Sequence, residues 1–199
     1  SGDWADVEAE LDAVFESLAD MRMDMAMAKS YLIPLFVAIA RQSGDAGEMN
    51  RYLQSIARMD SFQTLQSLRS FITETARNIT SDNYKALRNR HSTIIGKMIG
   101  VIEENLGNPE LSLNWVANEI LYMNADYLGK LFKKETGEKF SHYVMKARIR
   151  KATDILERTD DVKVFELAEM LGFGDNPQYF SQVFKKYTGC TPSEYKRSP

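Results

Sequence analysis

The residues equipped to act on something else fall into a doubled pattern. Lys133-Lys134 and Lys185-Lys186 lie 52 residues apart, and around them the chain matches itself. The matches are Tyr127/Tyr179, Phe132/Phe184, Thr136/Thr188, Gly137/Gly189, Ser141/Ser193 and Tyr143/Tyr195. Cations at a repeated station suit either phosphate contact or solvated charge, and both readings stay open for these four lysines and for Lys196 and Arg197. Residue types that make or break bonds are sparse by contrast. Neither His91 nor His142 has a Cys, Asp or Glu partner at ligand spacing, and Cys190 simply follows Gly189 at a helix end. There is no phosphate-cradling glycine loop, nucleophile elbow or dinucleotide fingerprint. The expectation is therefore binding rather than turnover, with no catalytic residue, no metal and no cofactor.

A self-match at a fixed period marks a duplicated supersecondary unit, and periodicity says which kind. In the first copy Tyr127, Leu128, Leu131, Phe132 and Glu135 recur at helical spacing. Their apolar members form one stripe, with Gly129, Lys130, Lys133 and Lys134 on the other side. Asn124 suits an N-cap and Gly137 a left-handed C-terminal position, bracketing about three turns. A shorter amphipathic helix over 113–121 precedes it, capped by Ser112. Two short helices around a tight turn describe a helix-turn-helix. The second copy runs through 164–171, a turn at Gly172-Phe173-Gly174, and 178–187. Its turn is longer: Ala117 to Tyr127 is ten residues, Ala168 to Tyr179 eleven. Pro177 falls in the first turn of its helix, where its missing N–H does no harm. The first turn, Leu121-Tyr122-Met123, must close without a glycine to make positive φ cheap.

The segments LSLNWVANEI, YLGKLFKKETG, HYVMKARIRKATDILERT and VFELAEMLGFGDNPQYFSQVFKKYTGCTPSEYK resemble the AraC/XylS family DNA-binding domain over about residues 91–196. That resemblance implies two helix-turn-helix subdomains, about 111–137 and about 163–189, joined by a rigid linker helix over about 141–157. Both second helices would enter successive major grooves of double-stranded DNA. The implied contact residues are Asn124, Asp126, Gly129, Lys130, Lys133 and Lys134 in the first copy. In the second they are Gln178, Ser181, Gln182, Lys185 and Lys186. Lys130 is the expected base reader of its helix, toward guanine O6/N7. Asp126 can only accept from cytosine N4 or repel phosphate, and Gly129 has no side chain unless it admits the DNA backbone closely. Gln178 and Gln182, one turn apart, suit pairing with adenine N6/N7. Of Arg148 and Arg150 on the joining helix, one is implied to be structural.

Net charge looks wrong for a DNA binder. It is −3 overall, and residues 91–199 hold 15 Lys+Arg against 15 Asp+Glu. The distribution is uneven, however: Lys130 to Lys151 contains eight cations and two acids. Phosphate contact depends on local cationic surface, so neutrality argues against tight non-specific binding and leaves site-specific binding open. No run of 18 apolar residues suggests a membrane span, and a lone cysteine fits a reducing cytoplasm. The start at Ser1, without methionine, suggests a fragment of a longer protein with tag residues in front.

The first half reads as helical too, so the expected fold class is all-α. Trp4, Val7, Leu11, Phe15 and Leu18 form a stripe within 3–41. Met21, Met23, Met25 and Met27 suit adaptable packing, and Pro34 is expected to end, kink or start a helix. Further helices are expected at about 48–58 and about 61–81, the latter burying Thr64, Leu65, Leu68, Ile72 and Ala76. A separate run from Asn83 carries Ile94, Ile95, Met98, Val101, Ile102 and Leu106 toward the first helix-turn-helix. Gly96 and Gly100 inside it should mark close packing or a break, and Gly107-Asn108-Pro109 ends it.

The phrase MDSFQTLQSLRSFITETARNI resembles the helical segment that precedes the AraC-type domain in YesN-like response regulators. The chain then divides into a linker or regulatory region, 1–90, and a DNA-binding domain, 91–199. This resemblance implies a cytoplasmic two-component transcription regulator whose receiver domain lies upstream of Ser1. It further implies a homodimer through the N-terminal helices or the receiver, and contact with RNA polymerase. The rival reading is a helical protein-interaction adaptor with weak or lost DNA binding, motivated by the neutral charge, Gly129 and Asp126. Small-ligand sensing by the first half lacks pocket-forming strands.

Overall fold

Apolar residues at three- and four-residue spacing build helices throughout the residues that the computed structural model describes, 4–159 and 161–196. Arg197 and Ser1 lie outside them. The chain divides into two units, Ser1–Arg90 and His91–Pro199.

In the first unit, α1 (Trp4–Asp20) buries Leu11, Phe15 and Leu18, three members of the expected stripe. A turn with Arg22 at φ 49° leads to α2 (Met25–Ala40), whose N-cap Asp24 accepts from Met27 N. Pro34 does not interrupt α2. The helix loses one backbone bond there, and burying Leu32 and Phe36 completely on either side compensates. The single helix expected over 48–58 is instead two, α3 (Ala46–Gln54) and α4 (Ile56–Ser61), which meet at Ser55. Met59, from α4, is fully buried among Phe15, Phe36, Leu68 and Ile72.

The two expected runs on either side of Asn83 form one helix, α5 (Leu65–Glu104), 40 residues long. Neither Asp82 nor Asn83 breaks it, because the Asn83 side chain turns aside to neighbouring backbone. Its Nδ2 donates to Gln42 O (2.8 Å) and its Oδ1 accepts from Gly44 N (3.1 Å). Thr64 stands before the helix rather than on its buried face, accepting from Ser67 N (3.2 Å). Gly96 and Gly100 mark neither close packing nor a break: a Cβ at either would meet nothing within 4 Å. Gly96→Ala and Gly100→Ala should therefore each raise the unfolding free energy by about 1 kcal/mol, the glycine penalty in a helix interior. Urea titration of each variant checks this, and a loss of stability at either site would contradict it.

The second unit has two cores that share one helix. Ile94, Ile95, Met98 and Ile102 of α5 pack on α6 (Leu113–Trp115), the π-helical stretch Val116–Leu121 and α7 (Ala125–Thr136). Phe140 and Val144, from the start of α8 (Phe140–Arg158), close this core. Farther along α8, Ile149, Ala152 and Leu156 pack on α9 (Val164–Met170) and α10 (Pro177–Thr188). The short α11 (Pro192–Tyr195) follows. Each core by itself is small, so α8 serves as the floor of both.

Candidate nucleic-acid interface

Four pairs of residues 52 positions apart, one of them (Asn124 and Asn176) not matched from sequence, close and pack α7 and α10. Asn124 and Asn176 are their N-caps, each accepting at 2.9 Å, from Tyr127 N and Tyr179 N respectively. Gly137 (φ 80°) and Gly189 (φ 89°) end them in the left-handed region. Thr136 Oγ1 donates to Phe132 O at 2.7 Å, and Thr188 Oγ1 to Phe184 O at 2.9 Å. Tyr143 meets Phe132 edge-on at 5.3 Å, as Tyr195 meets Phe184 at 5.6 Å. Matching ends and matching ring contacts seat each helix alike against the helix that follows it, α7 on Tyr143 of α8 and α10 on Tyr195 of α11.

That seating decides which side chains point away from the protein. With Leu128, Leu131 and Phe132 buried, α7 leaves Asp126, Lys130, Lys133 and Lys134 exposed. With Phe180, Val183 and Phe184 buried, α10 leaves Gln178, Gln182, Lys185 and Lys186 at the matching stations. The other expected contacts sit elsewhere. A Cβ on Gly129 would lie 2.9 Å from Leu113 Cδ2, so this residue faces α6 and corrects the expectation of an outward glycine. Ser181, at the matching station, is half-buried and donates its hydroxyl to Pro177 O (2.8 Å). Asn124 is exposed, but its carboxamide oxygen is engaged as the cap. Lys196 donates to Val162 O (3.3 Å), which ties down the chain end.

Sequence reasoning missed three tyrosines on this surface. Tyr127 and Tyr179 are 40% and 47% exposed in the first turns of α7 and α10, and Tyr122, at the first turn of the motif, is 82% exposed. Tyr122 is the residue that takes positive φ (51°) where the first turn has no glycine. The preceding helix widens to π form, and Met123 N reaches back to Ala117 O at 2.9 Å. In the second copy Gly172 (φ 72°) and Gly174 (φ 57°) serve instead. A left-handed tyrosine costs about 1–2 kcal/mol. Tyr122→Gly should thus raise stability by up to about 1 kcal/mol in thermal unfolding, part of the relief being offset by the entropy of the more flexible unfolded chain. An unchanged or lowered midpoint would mean that the ring has a packing role.

Besides the shared α8, Arg148 ties the turn after α5 to the turn of the second helix-turn-helix unit. It is 7% exposed, and its Nε donates to Leu106 O (3.0 Å) while Nη2 donates to Asn108 O (2.7 Å). Its guanidinium lies 5.6 Å from the centre of the Phe173 ring, in the turn of the second copy. Burial lowers its pKa, yet an arginine stays charged. Beside it, Gly107 approaches Met170 so closely that a Cβ would lie 2.7 Å from the Met170 carbonyl oxygen. Arg148 is thus structural, while Arg150 is exposed. His142 is held by Glu138 (2.6 Å), which Lys146 also pairs (3.0 Å). The Lys146 ammonium, and after it His142, keep the Glu138 carboxyl below its ordinary value against the opposing effect of burial. His91 stacks edge-on to Tyr127 at 6.5 Å. Among the described residues no group of three His, Cys, Asp or Glu could hold a metal ion, and no helix is long and apolar enough to cross a membrane.

Comparison with known proteins agrees with this geometry. A family described as "Helix-turn-helix domain" matches residues 118–198. The transcriptional regulatory protein YesN of Bacillus subtilis is 60% identical over 106 residues, 53% of this chain and 29% of YesN. The multiple antibiotic resistance protein MarA of Salmonella typhimurium is 33% identical over 111 residues, 55% of this chain and 83% of MarA. Among solved structures, the C-terminal domain of AraT, a response regulator from Geobacillus stearothermophilus, is 33% identical with a TM-score of 0.50. That match covers 53% of this chain and 85% of that domain. The chain spans well under half of several relatives, 29% of YesN and 14% of the Bacillus subtilis regulator YtdP.

Proposed function

We propose, because the chain belongs to the AraC-type helix-turn-helix family of transcription regulators, that it binds specific double-stranded DNA sites through α7 and α10 used together. The observation that supports this most is the pair of alike-capped helices, each seated in the same way against the helix that follows it, with Lys130, Lys133 and Lys134 exposed on one and Gln178, Gln182, Lys185 and Lys186 on the other. The mechanism is binding without turnover. Phosphate contacts from the lysine pairs position the domain, and Lys130, Gln178 and Gln182 read base edges in adjacent major grooves, about 34 Å apart along the duplex. Gly129 and Ser181 flank this surface, and Tyr122, Tyr127 and Tyr179 extend it. The 91–199 half is the DNA-binding domain in this reading, and 1–90 the region that couples it to a signal. The relatives YesN and AraT are described as a regulatory protein and a response regulator. We extend that role to this chain as the output part of a cytoplasmic two-component regulator, whose receiver, second copy and RNA polymerase contact belong to the intact protein.

Gel retardation on the gene's own upstream region tests the reading. With about four phosphate contacts the affinity should fall roughly a hundredfold between 50 and 200 mM salt. Lys130→Ala and Gln182→Ala should each weaken the specific complex about tenfold or more. Lys186→Ala should instead weaken all sequences alike and lower the salt slope by about one. Absence of retardation at low salt, in a forced dimer as well, would favour the helical adaptor reading.

A further inference from the structure

We propose that a groove beside α7 binds a compact apolar monoanion, an aryl or alkyl carboxylate, and that its occupancy opposes DNA binding. The groove, of about 530 Å³, lies between the segment leading into α6, the outer flank of α7 and the first turns of α8. Its walls are Leu111, Leu113, Phe140, Val144 and Met145, with Gly129 keeping one side free of a side chain. A volume of this size with apolar walls and a few polar groups suits a small molecule rather than a peptide helix.

The charge around it selects the class of ligand. Lys130, Lys133, Lys139 and Arg148 line the groove, against Asp126 as the one carboxylate among its lining residues. None of the four cations makes an ion pair among the described residues. Arg148 is buried with its guanidinium already engaged by the Leu106 and Asn108 carbonyls and the Phe173 ring, so the exposed Lys130, Lys133 and Lys139 are the cations open to a ligand. Lys139 stands at the start of α8, where its side chain makes no capping bond. An anionic head among these cations, with its apolar body on Phe140 and Val144, gains both charge and burial. A neutral ligand gains only the second. Since Lys130 and Lys133 also belong to the proposed DNA surface, a bound anion would occupy two of its cations. That antagonism rests on the proposed function, whereas binding itself does not.

The test uses 2-naphthoate with the 199-residue chain, followed by calorimetry in the absence of DNA. We expect one site with a dissociation constant on the order of 100 µM. The neutral 2-naphthylmethanol should bind at least fivefold more weakly. Ser141→Trp, which fills the groove from its exposed rim, should abolish binding, and Lys139→Glu should weaken it at least fivefold. Neither residue belongs to the proposed DNA surface, so both variants should retard DNA, and saturating naphthoate should weaken retardation of the wild type but not of Ser141→Trp. Equal binding of the neutral analogue would overturn the proposal. So would naphthoate binding that survives Ser141→Trp, which would mean that it lies at another site, such as the groove lined by Met21, Met23, Tyr31 and Leu35. No binding at millimolar naphthoate, or a Ser141→Trp variant altered only in sedimentation, would assign the groove to another occupant or to none. If naphthoate binds as described while no DNA is retarded, the groove stands and the DNA reading fails.

Discussion

Gly172→Ala is expected to destabilise the 91–199 unit by about 2–5 kcal/mol. Two independent penalties meet at this residue. Its φ of 72° lies in the left-handed region, which costs a residue with a Cβ about 1–2 kcal/mol. The new methyl would also stand 2.5 Å from Arg148 Nη2 and 2.8 Å from Leu106 O. The Leu106 carbonyl is held by Arg148 Nε, and a guanidinium that retreats gives up its bond to Asn108, so overpacking adds about 1–3 kcal/mol. Gly174→Ala separates the two. Its φ is 57° and a Cβ there meets nothing within 4 Å, so it should show the backbone cost alone. Urea titrations of both variants decide the matter: equal losses would mean that the close approach at Gly172 carries no energy.

How much of this was legible beforehand follows from where each signal resides. The 52-residue repeat was readable because its matched residues close helix ends and pack rings, tasks that admit few side chains. Gly137, Thr136 and Tyr143 each do in the first copy what Gly189, Thr188 and Tyr195 do in the second, whereas the Asn124 cap and its counterpart Asn176 were not paired because the second turn is one residue longer. The face of α5 that covers the first core was readable for the same reason, a stripe with one period. The continuity of α5 was not, because Asn83 reads locally as a turn residue while its amide serves a loop some forty positions earlier. Gly96 and Gly100 misled in the opposite sense, since a helical glycine signals tight packing only when something packs there. The outward set of α7 and α10 came through apart from Gly129 and Ser181, whose stations look outward by periodicity. Gly129 lies close against Leu113, and the half-buried Ser181 spends its hydroxyl on the Pro177 carbonyl of its own helix. Tyr122 carried no signal at all: a turn without glycine forces some residue into the left-handed region but does not say which.

Arg148→Met should destabilise the same unit by about 2–4 kcal/mol and should also lower DNA affinity in protein that is still folded. Methionine keeps most of the volume, so the loss is chiefly polar. The carbonyls of Leu106 and Asn108 lose their donors, at about 1–3 kcal/mol for each acceptor left unsatisfied, partly offset because a desolvated charge is no longer buried. Arg148→Lys should rescue little, since one ammonium cannot hold both carbonyls and lie against the Phe173 ring as a planar guanidinium does. The functional effect comes from rigidity. If α7 and α10 grip one duplex, the second contact is made at an effective concentration set by how firmly the first unit holds the other. Loosening the Leu106–Asn108 turn from Phe173 should lower affinity tenfold to a hundredfold at temperatures where circular dichroism still reports a folded domain. The deficit should be shared by all operators rather than confined to particular base pairs. Combining Arg148→Met with Gly172→Ala should cost less than the sum of the two, because the side chain that the new methyl strikes is then gone. Strict additivity, or full DNA affinity in the folded Arg148→Met protein, would mean that the arginine merely fills space and that each helix pair finds its groove unaided.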